Sequence, residues 1–409
     1  MKLRSSLCLL SVVTFTLRAD TTRTDAFSPA VMFKPRRAPG RRSFSDTMRL
    51  EEMARRDLLL SGGILWTSSQ AHAAQIEPLA DLPMIRLKLP KAALGREYVA
   101  LRLRVNGQGP YDFMVDSGLT TELITPHLQQ SLGIATGKNK LQGLASGGST
   151  QSNDLVKLTD VSLCCGKFSG DKEIELPSLT AVITDFPQEH IDPGHDPVEG
   201  MLGMEALSLF DVDFDFPAGR IRFWKSGTAA GAVGNKLVEI PAVVINETGL
   251  LGIRLSAPEA NQPVLGFLDC GATFSAVNWS AAKLLGLPDK GASDYKTGPA
   301  IDAIGIDGRP FRLPTIKKEL TFVGDVQQDS TTGRPIGFDK PPSSWKPWEK
   351  VDLAVGDLPV FPSLLGDGTR PYMGPAALIG LDVLSQRRVI LEAGRPGTRK
   401  RRVFVSGSS

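Results

Sequence analysis

Apolar and polar positions change register every few residues along most of the chain. Val99–Val105 reads as a strand closed by a turn at Asn106-Gly107, and Phe113–Val115 as the end of a second strand that runs into Asp116. Val212, Phe214 and Phe216 alternate with Asp213 and Asp215, which predicts a half-buried strand with its acids on the solvent face. The stretch "VDFDFPAGRIRFW" therefore reads as a hairpin. So does "VILEAGRPGTRKRRVFV" near the C-terminus, where "RKRR" (399–402) fits a solvated edge strand guarded by charge. Helical signals are short. Thr125 and Asn278 are good N-caps, Pro126 is allowed in a first turn, and Gly133 and Gly286 suit left-handed helix ends. Composition agrees: 41 glycines and 29 prolines among 409 residues, with few aromatics, suit many strands and turns better than long helices. With 41% apolar residues the chain can bury a sizeable core, divided over more than one domain.

These elements recur. "VDSGLTTELITPHLQQSLGI" (115–134) aligns without a gap on "LDCGATFSAVNWSAAKLLGL" (268–287). Asp116 meets Asp269, Gly118 meets Gly271, Thr120 meets Thr273 and Gly133 meets Gly286. A second pair follows in the same order: "MLGMEALSLFDV" (201–212) parallels the segment from Leu378 to Val389, with Gly203 on Gly380, Leu207 on Leu384 and Ser208 on Ser385. Two homologous units are expected, about 83–225 and 236–406, joined by the Gly/Ala-rich 226–235. Residues 325–372 read as a long, Pro-rich, partly irregular insertion in the second unit.

Two acids at strand tips of pseudo-symmetric units can meet on a two-fold axis. Close carboxylates do not both ionise cheaply, so they share a proton and titrate as a pair. One can act as general base on a water while the other, protonated, donates to a carbonyl oxygen. That chemistry splits an amide with neither a metal nor a covalent intermediate.

The motifs Val-Asp-Ser-Gly at 115–118 and Asp-Cys-Gly-Ala-Thr at 269–273, each with a downstream apolar-apolar-Gly element (201–203 and 378–380), resemble aspartic peptidases. The retropepsin-like type is closer than pepsin. The resemblance implies an all-β, bilobal acid-protease fold, with two pseudo-symmetric β-barrel-like lobes and a central cleft. It implies Asp116 and Asp269 as the dyad, supported by Ser117, Gly118, Cys270 and Gly271. It also implies flaps, for which "GLASGGST" (143–150, with Gly147 and Gly148) and "AIGIDGRPF" (303–311, with Gly305 and Gly308) are the candidates. The substrate would be a peptide or unfolded protein, with no cofactor or metal, and one chain would suffice because it carries both acids. Cys270 departs from the family pattern of Ser or Thr after each acid. A thiol is a weak donor, so a looser link between the lobes is expected, and a peptide-binding module that no longer cuts is the alternative.

The first 73 residues read as targeting segments. A basic start with an apolar run Leu7–Leu17 resembles a secretory signal peptide, and the Arg- and Ser-rich 27–49 resembles a transit peptide. Arg55-Arg56, a mildly apolar run and Ala71-His72-Ala73 resemble a twin-arginine signal. In series they point to a plastid thylakoid lumen, with secretion as the alternative. This region holds 12 of the 47 basic and 6 of the 44 acidic residues, which leaves 35 basic and 38 acidic in the remainder. That balance argues against a nucleic-acid partner, and no membrane span is expected in the mature chain.

Three cysteines remain there, Cys164, Cys165 and Cys270, too few and too unevenly spaced for a disulfide framework. The loop "EHIDPGHDP" (189–197) offers His190, Asp192, His195 and Asp196 as conceivable zinc ligands, but no second cluster answers it. Asn246-Glu247-Thr248 fits a glycosylation sequon.

Overall fold

Each acid of the repeat ends a strand, and in both halves the same strands surround it. The computed structural model describes residues 76–407 apart from 90–96, 138–139, 146–149, 165–172, 189–190, 192–193, 246–248, 306–307, 367–369 and 394–399. It also describes two short strands near the N-terminus, Leu7–Leu10 and Val13–Thr16. Residues 19–75 form a separate unit. That unit, and with it most of the expected targeting region, lies outside the described residues, as does the sequon at 246–248.

In the first half, Gln108–Val115 pairs antiparallel with Tyr98–Val105 and parallel with Val198–Leu202. Val198–Leu202 runs antiparallel to Glu122–Ile124, which pairs parallel with Leu179–Ile183. In the second half, Val264–Leu268 pairs antiparallel with Leu251–Ser256 and parallel with Ala376–Ile379. Ala376–Ile379 runs antiparallel to Ala276–Val277, which pairs parallel with Trp348–Val355. The parallel pairing follows from the turn at each acid, because the chain reverses there and the later apolar-apolar-Gly strand fills the gap. Each half adds a hairpin at the same place: Lys140–Ala145 with Thr150–Leu158, and Ala300–Gly305 with Pro310–Phe322. The architecture is all-β and bilobal.

Among the described residues, helices are confined to single turns or two. Thr125 Oγ1 accepts from Leu128 N at 3.0 Å and Asn278 Oδ1 from Ala281 N at 2.9 Å, so both expected caps are made. Gly133 and Gly286 end their helices at φ of +61° and +71°. The caps fix the turn after each acid, and the buried faces of the strands hold it. Phe113, Val115, Phe267, Phe274 and Trp348 are among the fully enclosed side chains. Each contributes on the order of 1.5–3 kcal/mol by leaving water.

A further set of strands joins the halves. Phe210–Asp215 pairs with Arg220–Lys225 and with Arg388–Leu391. Lys400–Ser406 lies between Arg388–Leu391 and Leu237–Val244. Two expectations are corrected here. Asp211 and Asp213 do not face solvent; they are 1% and 0% exposed. Arg388 grips Asp213 with Nε at 2.8 Å and Nη2 at 2.5 Å, and Asp211 accepts from the amides of Ala229 and Ala393. The period-2 pattern correctly separates two faces, but it does not say that the polar face is covered as well.

Nor is the strand carrying Arg401 and Arg402 an edge. It is an interior strand, and Arg402 is neutralised by Glu392 and Glu239. A third expectation narrows: Trp348–Val355, inside the presumed insertion 325–372, is the sheet strand equivalent to Leu179–Ile183. What is added around it includes a two-stranded arm, Val326–Gln328 with Pro335–Phe338, and the short helix Phe361–Leu364.

Candidate active site

The two tips are braced alike. Asp116 N donates to Leu202 O at 3.0 Å, and Asp269 N donates to Ile379 O at 2.9 Å. Met204 N donates to Leu119 O and Leu381 N to Ala272 O, both at 2.8 Å. Each apolar-apolar-Gly element therefore clamps the turn that follows the acid in its own half.

Asp116 and Asp269 are both fully buried. Oδ1 of each accepts from the amide two residues on, Gly118 N and Gly271 N, at 2.8 Å. Oδ2 of each is buried, and no donor from the surrounding described residues reaches it. The glycines explain how close the tips come. A methyl group on Gly118 would stand 2.5 Å from Cγ of Asp269, and one on Gly271 would stand 2.3 Å from Cγ of Asp116.

The carboxyls are within hydrogen-bonding reach of each other. Burial, then the charge of Asp269, raises the Asp116 carboxyl well above its usual range. Burial raises Asp269 to about 7. Two carboxyls so placed hold one proton between them.

Cys270 completes the link between the tips. Ser117 Oγ accepts from Cys270 N and donates to Leu268 O, each at 3.0 Å. In return, Cys270 Sγ accepts from Ser117 N at 3.2 Å and donates to Val115 O at 3.4 Å. All four contacts of a two-fold interlock are made. The sulfur side is longer, as its radius requires, and the weak donor makes it the softer side. Burial pushes the Cys270 thiol up to about 12, so it stays protonated and able to donate.

The remaining predicted residues divide. Gly305 ends the strand Ala300–Gly305, and Gly308, at φ +74°, donates its amide to Gly305 O at 2.8 Å. Gly147 and Gly148 lie outside the described residues, although the strands flanking them form the matching hairpin. His190 and Asp192 also lie outside them, and His195 Nε2 accepts from Lys88 N at 3.4 Å. Among the described residues no three His, Cys, Asp or Glu side chains gather as a metal site. Nor, among them, is any helix long and apolar enough to cross a membrane.

Two features escaped the sequence reading. One is a pocket of about 300 Å³ lined by Thr125, His127, Asp185, Gln188 and Glu199, in which His127 Nδ1 lies 2.7 Å from Glu199 Oε1. Nothing in the spacing of those residues marks it. The other is the buried Glu122, facing Glu205. The repeat does carry that signal, since Glu122 stands where the second half has Ser275.

The interlocked tips are each braced by the apolar-apolar-Gly element of their own half. Residues 101–206 match the aspartyl protease family model. This stretch holds Asp116, Ser117, Gly118 and Gly203, so the aspartyl protease likeness rests on the first half of the site, and the internal repeat extends it to the second. No curated protein matches the chain significantly.

Among solved structures, the chain is similar to basic 7S globulin from soybean, with 11% identity and a TM-score of 0.40 over 81% of this chain and 95% of that one. Conglutin gamma from lupine seeds is similar at 11% identity and a TM-score of 0.42, over 81% and 96% of the two chains.

Proposed function

We propose that the protein is an aspartic-type endopeptidase that hydrolyses peptide bonds with a water activated between Asp116 and Asp269. The observation that carries this reading is the pair of buried carboxyls with Oδ1 anchored by Gly118 N and Gly271 N and Oδ2 reached by no donor among the described residues. The ionised member takes a proton from the water as it attacks the peptide carbonyl. The protonated member donates to the carbonyl oxygen, so charge does not build up on the tetrahedral intermediate. Collapse returns a proton to the leaving amine. Both acids are fixed before substrate arrives, so little reorganisation is needed at the moment of reaction.

Substrate chemistry follows from the surroundings. The two hairpins stand at flap-like places in the two halves, which supports an extended peptide as substrate. Both acids sit in one chain, which supports activity as a monomer. A thylakoid-lumen location would suit a dyad that needs a proton, because such a compartment acidifies.

The test is cleavage of a mixed peptide library at acid pH, with and without a statine-type transition-state analogue. The expected outcome is cleavage that the analogue blocks. Peptide binding without turnover would replace this reading with a binding module, and turnover abolished by a chelator but untouched by the analogue would replace it with a metal-dependent hydrolase.

A further inference from the structure

The two halves of the site differ at one buried position. Six residues after each dyad acid stand Glu122 and Ser275, and two residues after each bracing glycine stand Glu205 and Asp382. In the second half a hydroxyl meets one carboxylate. Ser275 Oγ donates to Asp382 Oδ1 at 2.6 Å and accepts from Gly380 N at 2.9 Å, while Val383 N donates to the same Asp382 Oδ1 at 2.9 Å.

In the first half two carboxyls meet instead. Glu122 is fully buried, and its Oε1 accepts from Ala206 N at 2.9 Å. Its Oε2 is also buried, with no donor from the surrounding described residues, and Glu205 lies within hydrogen-bonding reach. Glu205 Oε1 accepts in turn from Thr180 N at 3.2 Å.

Among the described residues neither carboxyl is ion-paired; the neighbouring strand Thr150–Leu158 carries Asp154, paired to Lys140, and Lys157, which is exposed and stands opposite Thr180. The strand Leu179–Ile183, which pairs with Glu122 through Ala181, carries no charged side chain. The strand Val198–Leu202 carries Glu199, which turns to Thr125 and His127. The helix Met204–Leu207 carries Glu205 alone, and the strand Glu122–Ile124 has no charged residue but Glu122. Two ionised carboxylates this close, one of them fully buried, would repel each other. One proton between them supplies the donor that Ser275 supplies in the other half.

We propose that Glu122 and Glu205 share a proton and form a positioning pair, which ties the segment behind Asp116 to its bracing element and releases it when the proton is lost. The contacts run directly to the site. Glu122 opens the strand that follows the turn at Asp116, and Ala206 belongs to the helix whose first amide, Met204 N, holds Leu119 O. Burial first, then the charge of Glu205, raises Glu122 from 4.5 to about 8. The folded state therefore keeps a proton that the unfolded chain gives up near 4.5. The stability from the pair is full below that pH and is lost as pH rises through about 8.

The consequence for turnover rests on the peptidase reading, whereas the clasp itself is read from stability. The experiment measures Tm from about pH 5 to about pH 8.5, the window set by the shift, for wild type, Glu122→Gln, Glu205→Gln and Glu122→Ala. Glutamine donates at every pH, so Glu122→Gln is expected to match wild type near pH 5, to fall less steeply, and to be the more stable protein near pH 8.5. Glu205→Gln, at a half-exposed position that tolerates change, is expected to flatten the curve in the same way. Glu122→Ala is expected to lose stability throughout.

Where cleavage is measured, the alkaline limb of kcat/KM is expected to move up in pH in Glu122→Gln, with the acid-side value kept. Tm curves of both Gln variants parallel to wild type would overturn the proposal. An absence of cleavage in every protein would overturn the peptidase reading and leave the Tm comparison to decide the clasp.

Discussion

Gly118 and Gly271 set how near the two acids come. Each faces the opposite carboxylate at a distance where a Cβ does not fit. Gly118→Ala must push Asp269 aside, and a displacement approaching 1 Å costs on the order of 100-fold in turnover. A kcat/KM for Gly118→Ala equal to wild type would contradict the geometry.

Cys270 behaves differently. Cys270→Ser keeps a donor and an acceptor in place and is expected to retain activity, with stability changed by about 1 kcal/mol or less. Cys270→Val leaves the buried Ser117 N without its acceptor and is expected to cost about 1–3 kcal/mol in chemical denaturation.

The gapless repeat made the acids and glycines legible in the sequence, because one turn geometry demands one pattern twice. The interlock was legible in position but not in completeness. That a sulfur at 270 makes all four contacts depends on how far the tips approach, which no local pattern records.

At the scale of elements, the hydrophobic pattern marks a strand where one of its faces is apolar and says little where a second layer covers the other face. The caps at Thr125 and Asn278 and both hairpins follow from local chemistry. The burial of Asp213 does not, since its partner Arg388 is 175 residues away. Asp213→Ala is expected to destabilise by about 1–3 kcal/mol, because it leaves the buried Trp224 Nε1 and the Arg388 guanidinium without the acceptor they share. Asp215 at the end of the same strand is 15% exposed, and its loss is expected to cost about 1 kcal/mol. Urea midpoints of the two variants measure the difference, and equal costs would refute the buried ion-pair account. The strand Trp348–Val355 went unrecognised for a related reason. It is flanked by a two-stranded arm on one side and by the short helix Phe361–Leu364 on the other, and its pairing partners Ala276–Val277 and Pro310–Phe322 reveal it as part of the repeat.

For the whole molecule, the buried carboxyls set the response to pH. Asp116 and Asp269 both sit above the ordinary 3.8 in the folded state, Asp269 at about 7. A raised acid binds its proton more tightly when folded, so the stability it contributes is complete below about 3.8 and is lost as pH rises through about 7. Thermal unfolding is therefore expected to show a higher Tm near pH 4 than near pH 8, and a Tm that rises steadily across that range would contradict the assignment. Turnover should follow the same proton. It should fail at alkaline pH, where the pair loses the donor that the carbonyl oxygen needs.

The central claim is that Asp116 and Asp269 act as one catalytic unit. Its most direct test is acid-pH peptide cleavage by Asp116→Asn and Asp269→Asn, compared with wild type and with Tm recorded for each. The account predicts that both variants fold and that turnover is lost in both, because neither pair can supply a base and an acid together. Full turnover in either folded variant would contradict it.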